Sequence, residues 1–430
     1  MIAFRRARSR FFLSIFGVFL MTNAAVAESN SDDMHEAWKN FNDSVARAYE
    51  TIKETPRYKN SPEHRAQALY SIAEAQTMAY NFVIAPRQNN PRIYGTTSWN
   101  SYLYTLGQNG PDALYGIMLL NGKQTYRLSG RLGDLKLILF QLHNQILGYP
   151  GSKPLGNYDL NDFEVNADGS FEIIMSAEEH PGNWIALDGE SEFNFVIVRR
   201  WFGEWSDDVG SMDIEMLEPL NGYSEFDEGA LAMRLNMAAH FVTFLVEEWS
   251  IGLHDLYIKN AGGTNKLWYM GGEELVDLLG SPSTSYGLGV FDCAEDEALI
   301  IESGLPESAY WSYQLGDVWS KSLDFTHKQT DVNMARAVID VDGKFRAVVA
   351  HQDPGVPNWL DPVSRKEFTI VFRNYRETGD SRIAPPTVKR VKFSEIRDQL
   401  PSQTAEISTE ERERQLDRRR KGYVKILDTY

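Results

Sequence analysis

The feature that most constrains this fold is a repetition. The stretch HPGNWIALD at 180–188 has a relative, DPGVPNWLD, at 353–361. Other features recur around the two in the same order: Ala113-Leu114 with Ala298-Leu299, Leu132-Gly133-Asp134 with Leu315-Gly316-Asp317, ADGSFEIIM with VDGKFRAVV, and FNFVIVR (193–199) with FTIVFR (368–373). Five features in one order, at offsets of roughly 174 to 185 residues, read as an internal duplication. A chain of 430 residues also exceeds what one hydrophobic core organises, so the two copies are expected to fold as two units.

Period-two apolar runs make each unit β-rich. LYGIMLL-NG-KQTYRLSG and FEVNA-DG-SFEIIMS each place two strand-like runs around Asn121-Gly122 and Asp168-Gly169, dipeptides that suit a two-residue hairpin turn. Antiparallel β-sandwich units are expected at 111–219 and 290–393. Helical spacing appears elsewhere. Trp38, Phe41, Val45, Tyr49 and Ile52 form one stripe, and after the Ser61-Pro62 start signal Leu69, Ile72, Ala79 and Phe82 form a second. Leu231, Leu235, Ala238, Val242, Leu245 and Trp249 predict a helix between the units. The expected fold class is therefore α+β: a helical hairpin and loop at 28–110, two homologous antiparallel sandwiches, a helical insertion and Gly-rich linker at 220–289, and a charged helical tail at 394–430, where ERERQLDRRRK offers few apolar positions.

The first 27 residues place Arg5, Arg6, Arg8 and Arg10 before the apolar run Phe11 to Met21 and end on Ala25-Val26-Ala27, the layout of a cleaved secretory signal. A periplasmic or secreted protein is expected, and no later stretch reads as the 18 to 20 uncharged residues, approximately, of a membrane span. Loss of the four arginines takes the formal charge of −17 four units lower, to −21. Such a surface repels phosphate backbones, so nucleic acid is excluded as a partner class. The only cysteine, Cys293, excludes an internal disulfide and sits in a strand-like context, not a reactive one.

The doubled Pro-Gly and Asn-Trp read first as a corner that both copies need for folding, with Asn358 and Trp359 as ligand-facing alternatives. Differences between the copies point to chemistry. His351 and Asp353 share one face of an extended segment only in the second copy, and with His327 they could supply a two-His, one-carboxylate set for a divalent metal. No other cofactor is indicated. LGDVWSKSLDFTHKQT (315–330) adds Asp317, Trp319 and Asp324. Carboxylates beside aromatics suit general acid or base work, because an apolar wall raises a carboxyl pKa, and Asp317, Asp324, His327, His351 and Asp353 are the catalytic candidates. No Gly-x-Ser-x-Gly or His-Glu-x-x-His occurs, and Asp207-Asp208 and Glu273-Glu274 read as solvated.

PDALYG (111–116), ADGSFEIIMS with PGNW (167–184), YWSYQLGDVWSKSLDF (310–325) and AHQDPGVPNWLD (350–361) resemble the bacterial family defined by domain of unknown function 1214, sometimes paired with domain of unknown function 1254. The resemblance spans roughly residues 65 to 420 and implies β-sandwich domains accompanied by helices. It implies no catalytic residue. The expected function is recognition, with or without turnover, of a small molecule or saccharide in a cleft associated with the second sandwich. A metal- or carboxylate-dependent hydrolase or lyase, and a structural envelope protein, remain open beside it.

Overall fold

A computed structural model describes residues 31–94, 105–218, 227–271, 284–377 and 384–428, so the expected signal segment and Glu273-Glu274 lie outside the described residues. Three helices come first: α1 (Ser31–Lys53), α2 (Pro56–Asn60) and α3 (Pro62–Ala79). Ser61 caps α3, its hydroxyl accepting from the His64 amide at 3.2 Å, with Pro62 in the first turn, where a missing amide hydrogen costs nothing. The buried stripe of α1 runs through Ala37, Phe41, Ala48 and Ile52, while Trp38 and Tyr49 face outward. Small alanines face inward because α1 lies along a third partner, α4 (Glu228–Phe244), so the expected hairpin is a helical layer.

The first unit holds β1 (Ala113–Leu120), β2 (Tyr126–Arg131), β3 (Leu137–His143), β4 (Pro154–Asp159), β5 (Ser170–Ser176), β6 (Trp184–Ala186), β7 (Asn194–Trp201) and β8 (Ser211–Met216). They form two four-stranded sheets, β1-β7-β3-β4 and β6-β5-β2-β8. The second unit follows the same plan. β9 (Trp268–Gly271), β10 (Thr284–Asp292), β11 (Glu297–Ser303), β12 (Ser308–Gly316), β13 (Asp331–Asn333), β14 (Phe345–Ala350), β15 (Trp359–Leu360), β16 (Glu367–Glu377) and β17 (Thr387–Lys392) give sheets β9-β10-β16-β12-β13 and β15-β14-β11-β17. The expected start at 290 moves back: β10 begins at Thr284, and β9, within the expected linker, adds an edge strand where the described residues of the first unit show only the Tyr94–Ile117 bridge on β1. The strand orders also pair β10 with β1 and β11 with β2, so Ala298-Leu299 on β11 is not the equivalent of Ala113-Leu114 on β1.

Two expected hairpins are not hairpins. β1 and β2 belong to different sheets, and neither Asn121 nor Gly122 has the positive φ that a type I′ turn demands. Gly122 is there for closeness, since a Cβ would lie 1.9 Å from the Asp188 carbonyl oxygen. At Asp168-Gly169 the glycine does take φ +81°, but the segment before it is not a strand, and the turn only feeds β5, whose antiparallel partner is β2.

The Pro-Gly and Asn-Trp corner serves both copies alike. The Asn183 amide donates to the carbonyls of Glu164 and Glu172 at 2.8 and 3.0 Å, and Asn358 donates to Val338 and Arg346 at 2.6 and 2.8 Å. The indoles of Trp184 and Trp359 donate to the carbonyls of Ser176 and Ala350. Each asparagine thus ties an incoming loop to a sheet edge, satisfying buried backbone groups.

Between the units α4 runs through a π-helical turn (Leu245–Gly252) into α5 (Leu253–Ala261), begun by the Asp227 carboxylate accepting from Ala230 N. By length and composition this one continuous helix, Glu228–Ala261, could cross a membrane, although its charged residues leave no run of uncharged residues that long, and 56% of its apolar window is buried inside the protein. Leu235, Met237, Ala238, Phe241 and Val242 pack against the helical layer and the outer face of β1-β7-β3. That cover explains why all eight residues of β1 are buried: Leu114 and Met118 face the sandwich interior and Ile117 and Leu119 the helices. The tail continues through α6 (Ile396–Gln399) to α7 (Thr409–Asp428), which is charged outward yet docked. Its Tyr423 lies 5.5 Å from Trp205 and 5.4 Å from Phe325, ring centre to ring centre, so one helix touches both units.

Candidate functional site

The residues singled out by sequence occupy separate structural posts. Asp317 is buried and caps a tight turn, accepting from the amides of Trp319 and Lys321 at 2.8 and 3.0 Å. Burial raises its carboxyl pKa, opposed by Lys321. The Trp319 indole donates to His64 O at 2.9 Å beneath the Arg57 guanidinium. Asp324 and His327 contact each other at 3.1 Å with exposed side chains. The His351 ring reaches the Cys293 carbonyl at 2.9 Å, and Asp353 is held by Arg412 of α7 at 2.9 Å. Asn358 and Trp359 belong to the corner. Among the described residues no three His, Cys, Asp or Glu side chains converge on a point that could hold a metal, so His327, His351 and Asp353 do not form the expected set. Cys293 is buried, its thiol pushed up to about 11 by burial.

The units meet at two places of different character. The first is a buried ionic network. Arg336 bonds Asp112 of the first unit at 2.6 Å and Asp331 of the second at 2.7 Å, Tyr310 donates to Asp112 at 2.7 Å, and Arg419 of α7 pairs with Asp331. Trp205 lies under both guanidiniums, at 5.1 and 5.3 Å. Two arginines face two aspartates, so the charges cancel and the hydrogen bonds satisfy them. This arrangement ties the units together.

The second meeting place is a cavity of about 710 Å³, within the range of small-molecule sites. One wall is the face of β1-β7-β3-β4 bearing Tyr115, Gln141, Ile197 and Arg199. The opposite wall is the face of β9-β10-β16 bearing Met270, Tyr286, Leu288, Val371 and Arg373. Trp249, from the π-helical turn, and Leu253, Leu256 and Tyr257, from α5, close a third side; π turns recur at functional sites because they displace a side chain from regular helical spacing. Gly107 belongs here by necessity: it has φ +86°, and a Cβ would sit 2.5 Å from the Trp249 ring.

The duplication is written into these walls. Tyr115 is the cross-strand partner of Arg199, as Tyr286 is of Arg373. Trp201 and Tyr375 occupy equivalent ends of β7 and β16 and meet at a tilt of 42°, ring centres 4.8 Å apart. Like residue meeting like is the mark of a local two-fold relation. The cavity therefore holds two equivalent guanidiniums. Arg373 is buried and held by Gln314 and by the Gln108 carbonyl. Burial works against its charge, but the surrounding tyrosine oxygens outweigh it and raise its pKa. Arg199 lies 5.8 Å over the Tyr115 ring.

Polar groups at the rim are settled differently. Arg376, at φ +55°, bonds Asp159 and, at 2.8 Å, Asp162 of the first unit, so a strained residue clamps one unit to the other. Inside, the phenols of Tyr257 and Tyr375 are pushed far up by burial, which keeps them neutral donors. His143, beside the cavity, is buried and held down to about 4, first by burial and then by the charge of Arg199. The described lining contains no Ser, Cys or His; what it offers is aromatic surface, amides and fixed charge.

None of these residues stood out in sequence. The one available signal was that FNFVIVR and FTIVFR, both apolar buried strands, end on arginine in equivalent places.

Residues 118–202 and 291–378 each match a family described as protein of unknown function (DUF1214). Among solved structures, an uncharacterised protein from Burkholderia cenocepacia is 25% identical, with a TM-score of 0.75 over 85% of this chain and 99% of that one. A Vibrio parahaemolyticus protein is 13% identical at a TM-score of 0.43, covering 85% of this chain and 100% of its own. No curated protein matches the chain.

Proposed function

We propose that the two units, each of which contains a stretch matching the DUF1214 description, together bind a small organic molecule in the cavity between them, outside the cytoplasm. The observation that supports this reading is the cavity itself: about 710 Å³ lined by both units and the intervening helix, with Arg199 and Arg373 in its lining and no carboxylate among the described residues paired to either. An apolar enclosure with a few convergent polar side chains is the ordinary form of a ligand site. The ligand site moves accordingly from the expected cleft of the second sandwich to the surface shared by both.

The reading is tested with the neutral fluorophore N-phenyl-1-naphthylamine. Saturable fluorescence enhancement is expected for the wild-type protein, together with a raised melting temperature, because a ligand that binds only the folded state stabilises it. Leu288→Trp, which adds bulk to one wall, should abolish both while leaving the far-ultraviolet circular dichroism unchanged. Equal binding by the filled variant, or none by the wild type, would overturn the proposal.

A further inference from the structure

We infer that the cavity takes an organic acid: an oxyanion held between Arg199 and Arg373, on an apolar body lying against Trp249 and Tyr286. The inference rests on the cavity being a ligand site and names the chemistry of its occupant.

The argument begins with charge. The protein is strongly acidic, with a formal charge of −17, yet its two unit-to-unit seams treat arginine in opposite ways. At the ionic network every guanidinium has a carboxylate. At the cavity, Arg373 is 6% exposed and its hydrogen bonds go to a neutral side-chain amide and a backbone carbonyl. The half-buried Arg199 side chain has no hydrogen bond or ion pair among the described residues, and its guanidinium lies over the face of Tyr115. Burying an unpaired charge is costly, and a fold retains such a pair readily when an anion completes it.

Nearby groups do not supply that anion. Asp159 and Asp162 are engaged by Arg376. Glu377 also lines the cavity, and its carboxylate accepts from the Ser285 hydroxyl at 3.5 Å with no ion pair among the described residues. The tyrosines remain protonated. Both guanidiniums line the same cavity, each beside a cross-strand tyrosine, Tyr115 for Arg199 and Tyr286 for Arg373. A guanidinium's planar fork matches the oxygens of a carboxylate or another oxyanion. Beside these guanidiniums, Trp249, Leu288 and Val371 supply apolar surface, so a bare inorganic anion would leave most of the space unfilled.

The test compares 8-anilinonaphthalene-1-sulfonate with N-phenyl-1-naphthylamine, which has the same ring skeleton without the sulfonate. Arg199→Met should weaken the sulfonate about 10- to 100-fold, the loss expected for a charge-assisted hydrogen bond, and leave the neutral probe within about twofold. Arg199→Lys should recover part of the loss, and Arg373→Met should reproduce it. In displacement, 1-naphthoate should compete at far lower concentration than inorganic phosphate or 1-naphthylmethanol. If the neutral probe binds but the sulfonate is insensitive to both arginines, or both probes weaken equally, the acid is excluded and the cavity reading survives. If phosphate competes as well as naphthoate, an organic acid is excluded in favour of a bare anion. If neither probe binds the wild type, both readings fall.

Discussion

Two places where the units touch contain the same kind of residue and differ in its company. Around Arg336 and Arg419, Asp112 and Asp331 complete the charges, and the cluster is closed. Around Arg199 and Arg373 no carboxylate among the described residues forms an ion pair with either. The lesson is that burial of arginine does not by itself distinguish a fastening from a site; what distinguishes them is whether the protein has already provided the counter-charge.

Substituting one arginine at each place should break the symmetry of that comparison. Arg336→Met leaves Asp112 and Asp331 buried with less compensation, and should cost about 3–5 kcal/mol, the usual penalty for breaking a buried pair. Urea denaturation measures it, and a loss under about 1 kcal/mol would mean that the network is not what joins the units.

Acid should next weaken the cavity side. His143 titrates near 4 in the folded protein and near 6.5 when unfolded, so between those values the unfolded chain holds the extra proton and stability falls as pH falls. The window runs from about pH 6.5 down to about 4, and the full effect is about 3 kcal/mol. His143→Gln should flatten that slope. Nuclear magnetic resonance titration should also show the His143 pKa rising in Arg199→Met, since the Arg199 charge is one of its two depressing causes; an unmoved value would separate the two residues.

Smaller changes sharpen the contrast. Arg376→Ala removes the rim clamp to buried Asp159 and exposed Asp162 and should cost about 1–3 kcal/mol, the range for leaving a buried acceptor unsatisfied, visible as a shift in the urea midpoint. Arg199→Met, which loses no hydrogen bond within the protein, should change stability least, by under about 1 kcal/mol in either direction. A loss comparable to that of Arg336→Met would show Arg199 to be a structural charge after all.

Much of the architecture was legible because duplication repeats what the fold requires. The asparagine corner could be read from the two Pro-Gly and Asn-Trp stretches, since Asn183 and Asn358 bond the equivalent carbonyls. Strand pairing was less legible. Asn121-Gly122 looks like a hairpin turn, and only the approach of the Asp188 carbonyl reveals that glycine is there for space. The site was hardest to see for a related reason: Arg199 and Arg373 lie 174 positions apart, and only the meeting of two sheet faces brings them to one cavity. Density misled in the other direction, for the carboxylate and aromatic run at 315–330 is rich because Asp317 shapes a turn and Trp319 fills the helical layer.

The docking of α7 also sets an order of events. Its Arg412 grips Asp353, its Arg419 completes Asp331, and its Tyr423 lies between Trp205 and Phe325. Every one of those partners leaves the ribosome before α7 does. During synthesis the seam therefore passes through an interval in which Asp331 and Asp112 have only Arg336 between them, an excess of one negative charge in a place that will become dry. The fastening between the units is finished by the segment that follows both in the chain.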